Sequence, residues 1–473
     1  MNTLSEAVAL AIDIGTSSVR TMAYDLKGLL IPNLSTQRHY TATYTTDGGA
    51  FFDPIHLREQ TFACIDDVLQ LPAAAQVNFL AVGVDTFVTN LLGVDNDGTP
   101  LTPVYLWNDT RSRHHISQLK LEADTHYDQT GTALHSSYWP SRLLWLKETQ
   151  PPLWSRVTRW LSVGDWLQET GFGITRCSTS TAAWTGLLNR RSGNWDEPTL
   201  DACGISAGRL ATIDDSPLGK LSGPFARRWP LLSQAEWHVA LSDGYTANVG
   251  SGAINAENAA LTIGTSAALR VLISGTPDYV PHGLFCYKVN AAQSLIGGAV
   301  SNAGNVFAWL QQTLKLTGDP FDRVDDLALP DSHGLTVQPS WAGERSPGWD
   351  DNARATISGM TFNTTADDIA RAALEAVLYQ IATVDDLLST TIGHQPAILA
   401  AGGVLASSPG WAQVTADIFG RPVLLCTDSQ ASARGTALLA LKTYVEPAIS
   451  ATYSARPRFT EIYQAARKRK AGN

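Results

Sequence analysis

One short segment near the start of the chain combines an acid, a glycine and several hydroxyl side chains. Residues 13–18 read DIGTSS and follow an apolar run with β-strand character. Asp13, at the strand end, can hold Mg²⁺ directly or through water, because hard cations prefer oxygen ligands. Gly15 lets the chain turn so that backbone N–H groups face an anion such as a phosphate. Further donors to that phosphate would be the side chains of Thr16, Ser17 and Arg20.

The same pattern recurs past the midpoint of the chain. Residues 261–266 read LTIGTS, with Thr262 standing where Asp13 would be. A repeat of this kind predicts two copies of one structural unit. Gly264 and Thr265 would then form a second phosphate cradle, and two facing cradles could grip one polyphosphate with a single metal-holding carboxylate between them. Each tripeptide alone could be an ordinary turn, and it is the pairing that favours phosphate binding.

A further acid stands just before the second copy. Asp243 is followed by Gly244 and an alanine-containing stretch, so one interpretation is an N-cap at the start of a helix. The other is a general base that accepts the proton of a substrate hydroxyl where that hydroxyl meets a terminal phosphate. The residues alone leave both interpretations open.

The elements that would position these groups alternate between strands and helices. The first half contains predicted strands at residues 7–12, 19–24, 79–84 and 91–94. In the second half, Thr365 and Asp368 predict a capping box that opens a long amphipathic helix. A strand over 397–401, a helix over 408–420 and a strand from 423 then form a βαβ unit.

The chain is long enough for two domains. Its 473 residues are about three times the ~150 residues used as a prior for one domain. The alternation in both halves predicts an α/β protein of two similar domains, residues 1–241 and 242–473. Hydrophobic residues make up 44% and charged residues 16% of the chain, which excludes a disordered protein. The net charge of -10 disfavours nucleic acid and anionic membranes as partners.

The sequence also favours a cytoplasmic location. The five cysteines are scattered without a CxxC pair, which is typical of reduced thiols rather than of a disulfide framework or a zinc site. No apolar run reaches the ~18 residues of a membrane span, and the start of the chain lacks the basic region of a signal peptide. The basic residues 467–470 are expected to be a solvated helix end.

Common nucleotide and hydrolase motifs do not explain the chain. It contains no GxxxxGK[ST], and no GxGxxG between a strand and a helix. Residues 204–208 match the GxSxG of hydrolases, but that motif needs a preceding strand, and residues 197–203 predict a short helix. We therefore interpret the GxSxG match as chance.

Eight short stretches spread over nearly the whole chain form a recognisable series. The stretches are residues 13–17 (DIGTS), 107–111 (WNDTR), 131–135 (GTALH), 242–244 (SDG), 262–266 (TIGTS), 297–304 (GGAVSNAG), 343–347 (GERSP) and 401–403 (AGG). In this order they resemble the FGGY family of carbohydrate kinases, and the chain is most similar to its gluconokinase-like and xylulokinase-like members. Any one of them is a weak signal, whereas eight in order are specific.

The resemblance implies two actin-like, ribonuclease H-like domains with a cleft for ATP and a sugar between them. It implies ATP-dependent, Mg²⁺-assisted phosphorylation of a small sugar or sugar acid. By position it makes Asp243 the catalytic base and Asp13 the catalytic carboxylate that associates with Mg²⁺. The residues that it implies for ATP are Thr16, Ser17 and Arg20 at the first phosphate site, Gly264 and Thr265 at the second, and Gly304, Gly403 and Ser407 at the adenine and ribose.

One departure from the family concerns the substrate. Where the family often has an aromatic residue or Met, then His, then a small residue, this chain has Val88, Thr89 and Asn90. Thr89 and Asn90, with Asp243, are the expected substrate contacts, and the first two offer only neutral groups. The substrate is left open between a gluconate-like aldonate and a ketopentose such as xylulose or ribulose.

Arg345 bears on that choice, because a substrate carboxylate needs a cation or a cluster of N–H donors. Arg345 could supply this cation, but an ion pair of Arg345 with Glu344 or Asp350 would explain the presence of the arginine equally well. Trp107 likewise either shapes the sugar side of the cleft or packs under a capped helix. Two other classes on the same fold stay open, a non-catalytic sugar-sensing regulator and an actin- or chaperone-type ATPase, and a homodimer is an option for the assembly.

Overall fold

Two large mixed β-sheets, one in each half of the chain, organise the protein. The computed structural model describes residues 6–316, 318, 321 and 330–471. The sheets and the helices around them confirm the predicted α/β architecture of two similar domains.

The first half contributes the N-terminal sheet and its covering helices. Its strands are β1 (Glu6–Ile14), β2 (Ser18–Asp25), β3 (Leu30–His39), β4 (Thr43–Tyr44), β5 (Ala50–Phe52), β6 (Val77–Thr86), β7 (Leu92–Val94), β8 (Val104–Tyr105), β9 (Arg159–Leu161), β10 (Arg176–Cys177), β11 (Thr212–Ile213), β12 (Glu236–Trp237) and β13 (Leu241–Ser242). Its helices are α1 (Pro54–Gln70), α2 (Ala123–Thr130), α3 (Trp139–Thr149), α4 (Pro151–Arg156), α5 (Val163–Phe172), α6 (Thr179–Ala183), α7 (Glu197–Cys203) and α8 (Gly223–Arg228). Short 3₁₀ helices span Pro72–Gln76, Arg113–Gln118, Ala207–Arg209 and Pro230–Leu232.

The second half contributes the C-terminal sheet. Its strands are β14 (Asn258–Ile263), β15 (Ala267–Ser274), β16 (Phe285–Lys288), β17 (Gln293–Val300), β18 (Thr336–Gln338), β19 (Thr356–Ser358), β20 (Ala397–Ala401), β21 (Val423–Cys426) and β22 (Ile449–Tyr453). Its helices are α9 (Asp243–Gly250), α10 (Gly304–Leu314), α11 (Ala366–Ile392), α12 (Gly403–Ser407), α13 (Pro409–Phe419), α14 (Ala431–Ala440) and α15 (Pro457–Ala471).

The two large sheets share one strand order. The N-terminal sheet runs β3-β2-β1-β6-β12, with β13 also paired to β6, and β1 is antiparallel to β2 and parallel to β6. The C-terminal sheet has the core order β17-β15-β14-β20-β21, and β14 is likewise antiparallel to β15 and parallel to β20. The repeated sequences at 13–17 and 262–266 therefore occupy equivalent turns of two copies of one unit.

Local sequence signals explain where several elements begin and end. The side chain of Thr365 accepts a hydrogen bond from the N–H of Asp368, and the reciprocal bond completes the predicted capping box of α11. Ser408 caps α13, which ends at Gly420 in the left-handed conformation. The buried residues 8–12 of β1 match its apolar run, as expected for a central strand that is covered on both faces.

The GxSxG match at residues 204–208 follows a helix, as its sequence context predicts. Helix α7 ends at Cys203, and Gly204 adopts a φ of +71° as its left-handed C-cap. The segment is therefore a helix C-terminus rather than a strand-to-helix nucleophile turn.

The structure also bears on the predictions about the cysteines and about membrane-spanning segments. All five cysteines are buried and free. Among the described helices, none combines the length and apolar character that a bilayer crossing requires. The N-terminal sheet ends at Ser242 and the C-terminal sheet begins at Asn258, so the predicted boundary after residue 241 stays a prediction.

Helices α9 and α14 cross with their backbones in contact. A Cβ atom added at Gly250 would overlap the carbonyl oxygen of Ala431, and one added at Gly435 would overlap that of Thr246. Alanines of α14 also pack against alanines of β1 in the N-terminal sheet. Because α14 belongs to the second half, its contact with β1 joins the two halves of the chain.

Gly435→Ala is expected to destabilise the protein by about 1–3 kcal/mol, because a methyl group at the crossing must force the two helices apart. Gly171→Ala is the matched control, since nothing lies within 4 Å of the Cβ position of that helical glycine. The control should be neutral or stabilising by up to about 1 kcal/mol. Thermal unfolding of both variants measures the difference, and equal midpoints for Gly435→Ala and the parent would contradict it.

Candidate functional site

The predicted first cradle is the tight turn between β1 and β2. The Gly15 N–H donates to the Ser18 carbonyl at 3.0 Å, and the Tyr40 hydroxyl donates to the Gly15 carbonyl at 2.6 Å. The turn is thus fixed, while Thr16 and Ser17 are exposed. Hydroxyl groups presented on a fixed turn are suited to bind phosphate oxygens.

The predicted second cradle is the equivalent turn between β14 and β15. The Gly264 N–H donates to the Ser266 carbonyl at 2.9 Å, and Thr265 at the tip is exposed. Gly304, the first residue of α10, donates its N–H to the Gly264 carbonyl at 2.9 Å, and a Cβ at Gly304 would lie 2.5 Å from that oxygen. The N-terminus of α10, which carries a partial positive charge, therefore touches this turn.

The loop after β20 borders the same edge of the C-terminal sheet. A Cβ at Gly402, whose φ is +114°, would lie 2.9 Å from the carbonyl oxygen of Ile263 at the end of β14. Gly403 opens α12 with no atom within 4 Å of its Cβ position, and Ser407 ends α12 with its hydroxyl donating to the Val404 carbonyl at 3.2 Å. Contacts of Gly304, Gly403 and Ser407 with adenosine stay predictions.

A cavity of about 250 Å³ lies between the two halves of the chain. It brings together Thr16 of the first turn, Thr89 of the predicted substrate loop, and Asp243. Its wall also includes Arg270, Arg345, Trp107, Trp184, Tyr287 and Trp349. One space is thus lined by a hydroxyl-bearing turn, an acid and two arginines that come from different parts of the chain.

Asp243 is the first residue of α9 and faces the cavity. Ser242 precedes the helix, and α9 has no side-chain cap, so the N-cap interpretation of Asp243 is not what the structure shows. Burial raises the pKa of the Asp243 carboxyl to about 7, with the charge of Arg270 opposing the rise and that of Asp13 adding to it. A carboxyl group that titrates near neutral pH is suited to accept a proton.

Thr89 holds an uncommon backbone conformation at the cavity wall. Its φ of +58° is rare for a β-branched residue. Its carbonyl accepts from Arg142 at 2.6 Å, whereas its buried hydroxyl has no hydrogen-bond partner. An unpaired buried hydroxyl beside a cavity is a candidate ligand contact.

Asn90, in contrast, is bonded to the protein itself. Its side-chain amide donates to the Phe87 carbonyl at 2.5 Å and accepts from the Val163 N–H at 2.6 Å, and its backbone carbonyl accepts from Trp139 Nε1 at 2.9 Å. Asn90 does not line the cavity, and it supports the loop that carries Thr89. Its direct contact with a substrate stays a prediction.

Asp85 was not singled out from the sequence and lies opposite Asp13, on the parallel strand β6. Its Oδ2 accepts from the Thr436 hydroxyl at 2.5 Å, and its buried Oδ1 has no partner. Burial raises the pKa of both acids, and the Asp13 charge raises that of Asp85 further. The available signal was an acid directly after the apolar run 79–84, the pattern already used for Asp13.

The donors beside the first turn fit a hard divalent cation. Asp13 is held by Arg20, whose Nη1 donates to Asp13 Oδ2 at 3.1 Å. The unpaired Oδ1 of Asp85 adds a second carboxylate oxygen, and the cavity lining among the described residues includes no His or Cys. Oxygen-only donor sets suit Mg²⁺, so Asp13 with Asp85 could hold that ion.

Arg345 lies over the ring of Trp107 at the cavity wall, with the guanidinium carbon 4.1 Å from the ring centroid. Its Nε donates to Ser301 Oγ at 3.2 Å, and its Nη2 donates to the Val300 carbonyl at 3.3 Å. In the part of the chain that the structure describes, Arg345 forms no ion pair, so pairing with a neighbouring acid is not observed. Trp107 therefore lines the cavity and supports a cation there.

Profiles of one protein family match nearly the whole chain. The FGGY family of carbohydrate kinases matches with its N-terminal domain over residues 8–250 and with its C-terminal domain over residues 259–444. The chain is 27% identical to the gluconokinase of Bacillus subtilis over 91% of its own length and 86% of that relative.

Two solved structures share the fold. A ligand-bound xylulose kinase and a gluconate kinase, both from Lactobacillus acidophilus, each match with a TM-score of 0.89 and 26% identity. These matches cover 98% and 99% of this chain, respectively, and 97% of each of those chains. With its paired turns, its interdomain cavity and both family domains in order, the chain belongs to the FGGY family of carbohydrate kinases.

Proposed function

We propose that this enzyme transfers the γ-phosphoryl group of ATP to a hydroxyl of a sugar acid, a gluconate-like aldonate. The observation that carries the proposal is the cavity in which Asp243 faces Arg270 and Arg345. Among the described residues, Arg345 forms no ion pair with a carboxylate, and an anionic substrate would balance its charge. The similarity to a gluconokinase and a gluconate kinase supports the same substrate class.

The residues of the cavity suggest a division of labour in the transfer. Asp243 accepts the proton of the acceptor hydroxyl while the hydroxyl oxygen bonds to the γ-phosphorus and the bond to ADP breaks. The turns at Thr16 and Thr265 donate N–H and hydroxyl groups to the phosphate oxygens. The aromatic wall, which includes Trp184 and Trp349, excludes water that would otherwise accept the phosphoryl group.

Asp13 is the residue that would hold Mg²⁺, with Asp85 beside it. When bound, Mg²⁺ neutralises negative charge on the phosphates. Arg20 and Thr436 orient the two carboxylates through the bonds described above. The protein therefore supplies the oxygen donors in a fixed arrangement.

A neutral ketopentose such as xylulose or ribulose is the second candidate substrate. The unpaired hydroxyl of Thr89 is a neutral group that suits a sugar hydroxyl, and the similarity to a xylulose kinase favours this class. An aldonate carries the same hydroxyl groups, so Thr89 is compatible with both. The charge of Arg345, which no acid balances among the described residues, is what favours the acid in this proposal.

The two other classes on this fold receive less support. The family match covers both halves of the chain and is to carbohydrate kinases rather than to actin- or chaperone-type ATPases. A non-catalytic regulator has no need of Asp243 and Asp13, and both acids lie at or beside the cavity. Phosphotransfer explains why buried acids occur there.

Asp243→Asn should lower turnover by about 10²- to 10⁴-fold, the usual contribution of a general base, with ADP binding unchanged. In the parent, kcat/KM should fall as the pH drops below about 7, because the raised pKa of Asp243 leaves its carboxyl protonated there. ADP release measured on either side of that pH checks both effects. Activity of the variant within a few-fold of the parent would remove Asp243 from the mechanism.

Asp13→Ala should raise the Mg²⁺ concentration needed for half-maximal activity and also lower the maximal rate, because a carboxylate ligand is lost. Titration of Mg²⁺ at saturating ATP measures this. Asp85→Asn is the matched comparison, since asparagine has nearly the same shape as aspartate and its amide oxygen can still accept the hydrogen bond from the Thr436 hydroxyl. An unchanged Mg²⁺ dependence in Asp13→Ala would show that ATP and other groups hold the metal.

Arg345→Gln should raise KM for an aldonate by about 10- to 100-fold and change KM for a neutral ketopentose much less, because a charged hydrogen bond contributes about 1.5–3 kcal/mol. Arg354→Gln, on the same loop but outside the cavity lining, should change neither KM. Equal effects of Arg345→Gln on both substrates, or no aldonate activity in the parent, would leave a neutral-sugar kinase.

A further inference from the structure

We propose that Arg270 is a catalytic residue that binds the transferring phosphoryl group. The proposal rests on the phosphotransfer function proposed above and assigns a role to a residue outside the family stretches that carry the resemblance. Four observations support it: the position of Arg270, the residue of the repeat that it contacts, its charge, which no ion pair balances among the described residues, and the space that the sheet leaves for it.

Arg270 is fixed between the acid and the second cradle. It is only 7% exposed, on β15. Its Nη2 donates to Thr262 Oγ1 at 3.1 Å, and its Nε donates to Asn248 Oδ1 at 3.2 Å. Thr262 lies two residues before Gly264, and Asn248 lies on the helix that begins with Asp243. Arg270 is therefore anchored beside the second turn and lines the same cavity as Asp243.

In each half of the chain an arginine donates to the same position of the repeat, although the two differ in strand register, because Arg20 pairs with Asp13 whereas Arg270 pairs with Ala260. Arg20 donates to Asp13 at 3.1 Å, and Arg270 donates to Thr262, the residue at the equivalent position of the repeat, also at 3.1 Å. The first arginine is neutralised by its partner, whereas the second donates only to a hydroxyl and to the amide oxygen of Asn248. The positive charge of Arg270 is therefore left for another group.

The sheet is built around this side chain. Gly297 on β17 pairs with Arg270, and a Cβ at Gly297 would lie 2.9 Å from Arg270 Cγ and overlap the Leu269 carbonyl oxygen. Among the described residues Arg270 forms no ion pair, although Asp243 faces it across the cavity. A buried cation held by two neutral partners is costly unless an anion joins it.

Phosphoryl transfer supplies such an anion. As the acceptor oxygen bonds to phosphorus and the bond to ADP breaks, negative charge is spread over the peripheral oxygens of the phosphoryl group. The planar guanidinium can donate to two of these oxygens while the acceptor proton passes to Asp243. Arg345, on the ring of Trp107, is left to hold the substrate carboxylate.

Arg270→Gln is expected to lower kcat by about 10²- to 10³-fold for every acceptor that the parent phosphorylates, with little change in KM, because a donor to transition-state charge is lost. Arg270→Lys keeps the charge and should recover part of that rate. A second readout is the binding of ADP with aluminium fluoride, a mimic of the transferring group, followed by tryptophan fluorescence. Both variants should bind ADP as the parent does, but Arg270→Gln should lose the added affinity that the fluoride complex gives, and Arg270→Lys should keep part of it.

Arg190→Gln is the matched control for loss of a buried arginine. Arg190 is 1% exposed and bonded to Asp128, and it does not line the cavity. This variant should lose stability but keep the kcat of the folded protein and its response to aluminium fluoride.

The outcomes separate this inference from the proposed function. If the parent phosphorylates no sugar acid, ketopentose or polyol, both fail. If the parent is active and Arg270→Gln keeps kcat and the fluoride response, the inference alone fails. A rise in KM confined to anionic acceptors, with kcat unchanged, would also overturn it and make Arg270 an acceptor-binding residue.

Discussion

The arrangement of the cleft depends on the contact between α9 and α14, whose backbones touch where they cross. Gly250 and Gly435 permit this approach, because any side chain there would overlap a carbonyl oxygen of the other helix. Asp243 is the first residue of α9, and Thr436, next to Gly435, donates to Asp85 beside the first turn. One crossing thus sets the position of both the candidate base and the acid pair. Since protein interiors are close-packed, a shift at the crossing is transmitted to both.

The cleft concentrates buried charge that a stable core would avoid. Each buried ion costs several kcal/mol unless it is paired and hydrogen-bonded. Asp13 has Arg20 as a charged partner. Arg270 and Arg345 donate only to neutral acceptors among the described residues, namely hydroxyl, amide and carbonyl oxygens. The apolar strands on either side supply the stability that this arrangement requires. Groups held rigidly in this way need no reorganisation when charge develops in a reaction.

Features that depend on neighbours in sequence were predictable, and features that depend on strand pairing were not. The capping box at Thr365 and the two glycine turns follow from local hydrogen bonds, and the structure confirms them. Asp85 reaches Asp13 only through the parallel pairing of β6 with β1. The segment around Thr89 shows the same limit. Asn90 is of a residue type that often contacts substrates, yet its side-chain amide is bonded within the protein. The positive φ of Thr89 could not be predicted, because β-branched residues rarely adopt it.

The difference between the two copies of the unit has a physical reason. If the second turn also began with an acid, two carboxylates and Asp243 would face the same polyphosphate, and their mutual repulsion would raise their pKa values and weaken nucleotide binding. Thr262 in place of that acid keeps the hydrogen bond to the neighbouring arginine while it removes one negative charge. The first turn can then hold a cation through Asp13, and the second can supply one through Arg270. Two similar turns thus meet one anionic ligand with positive charge from both sides, which a symmetric pair of acidic turns could not do.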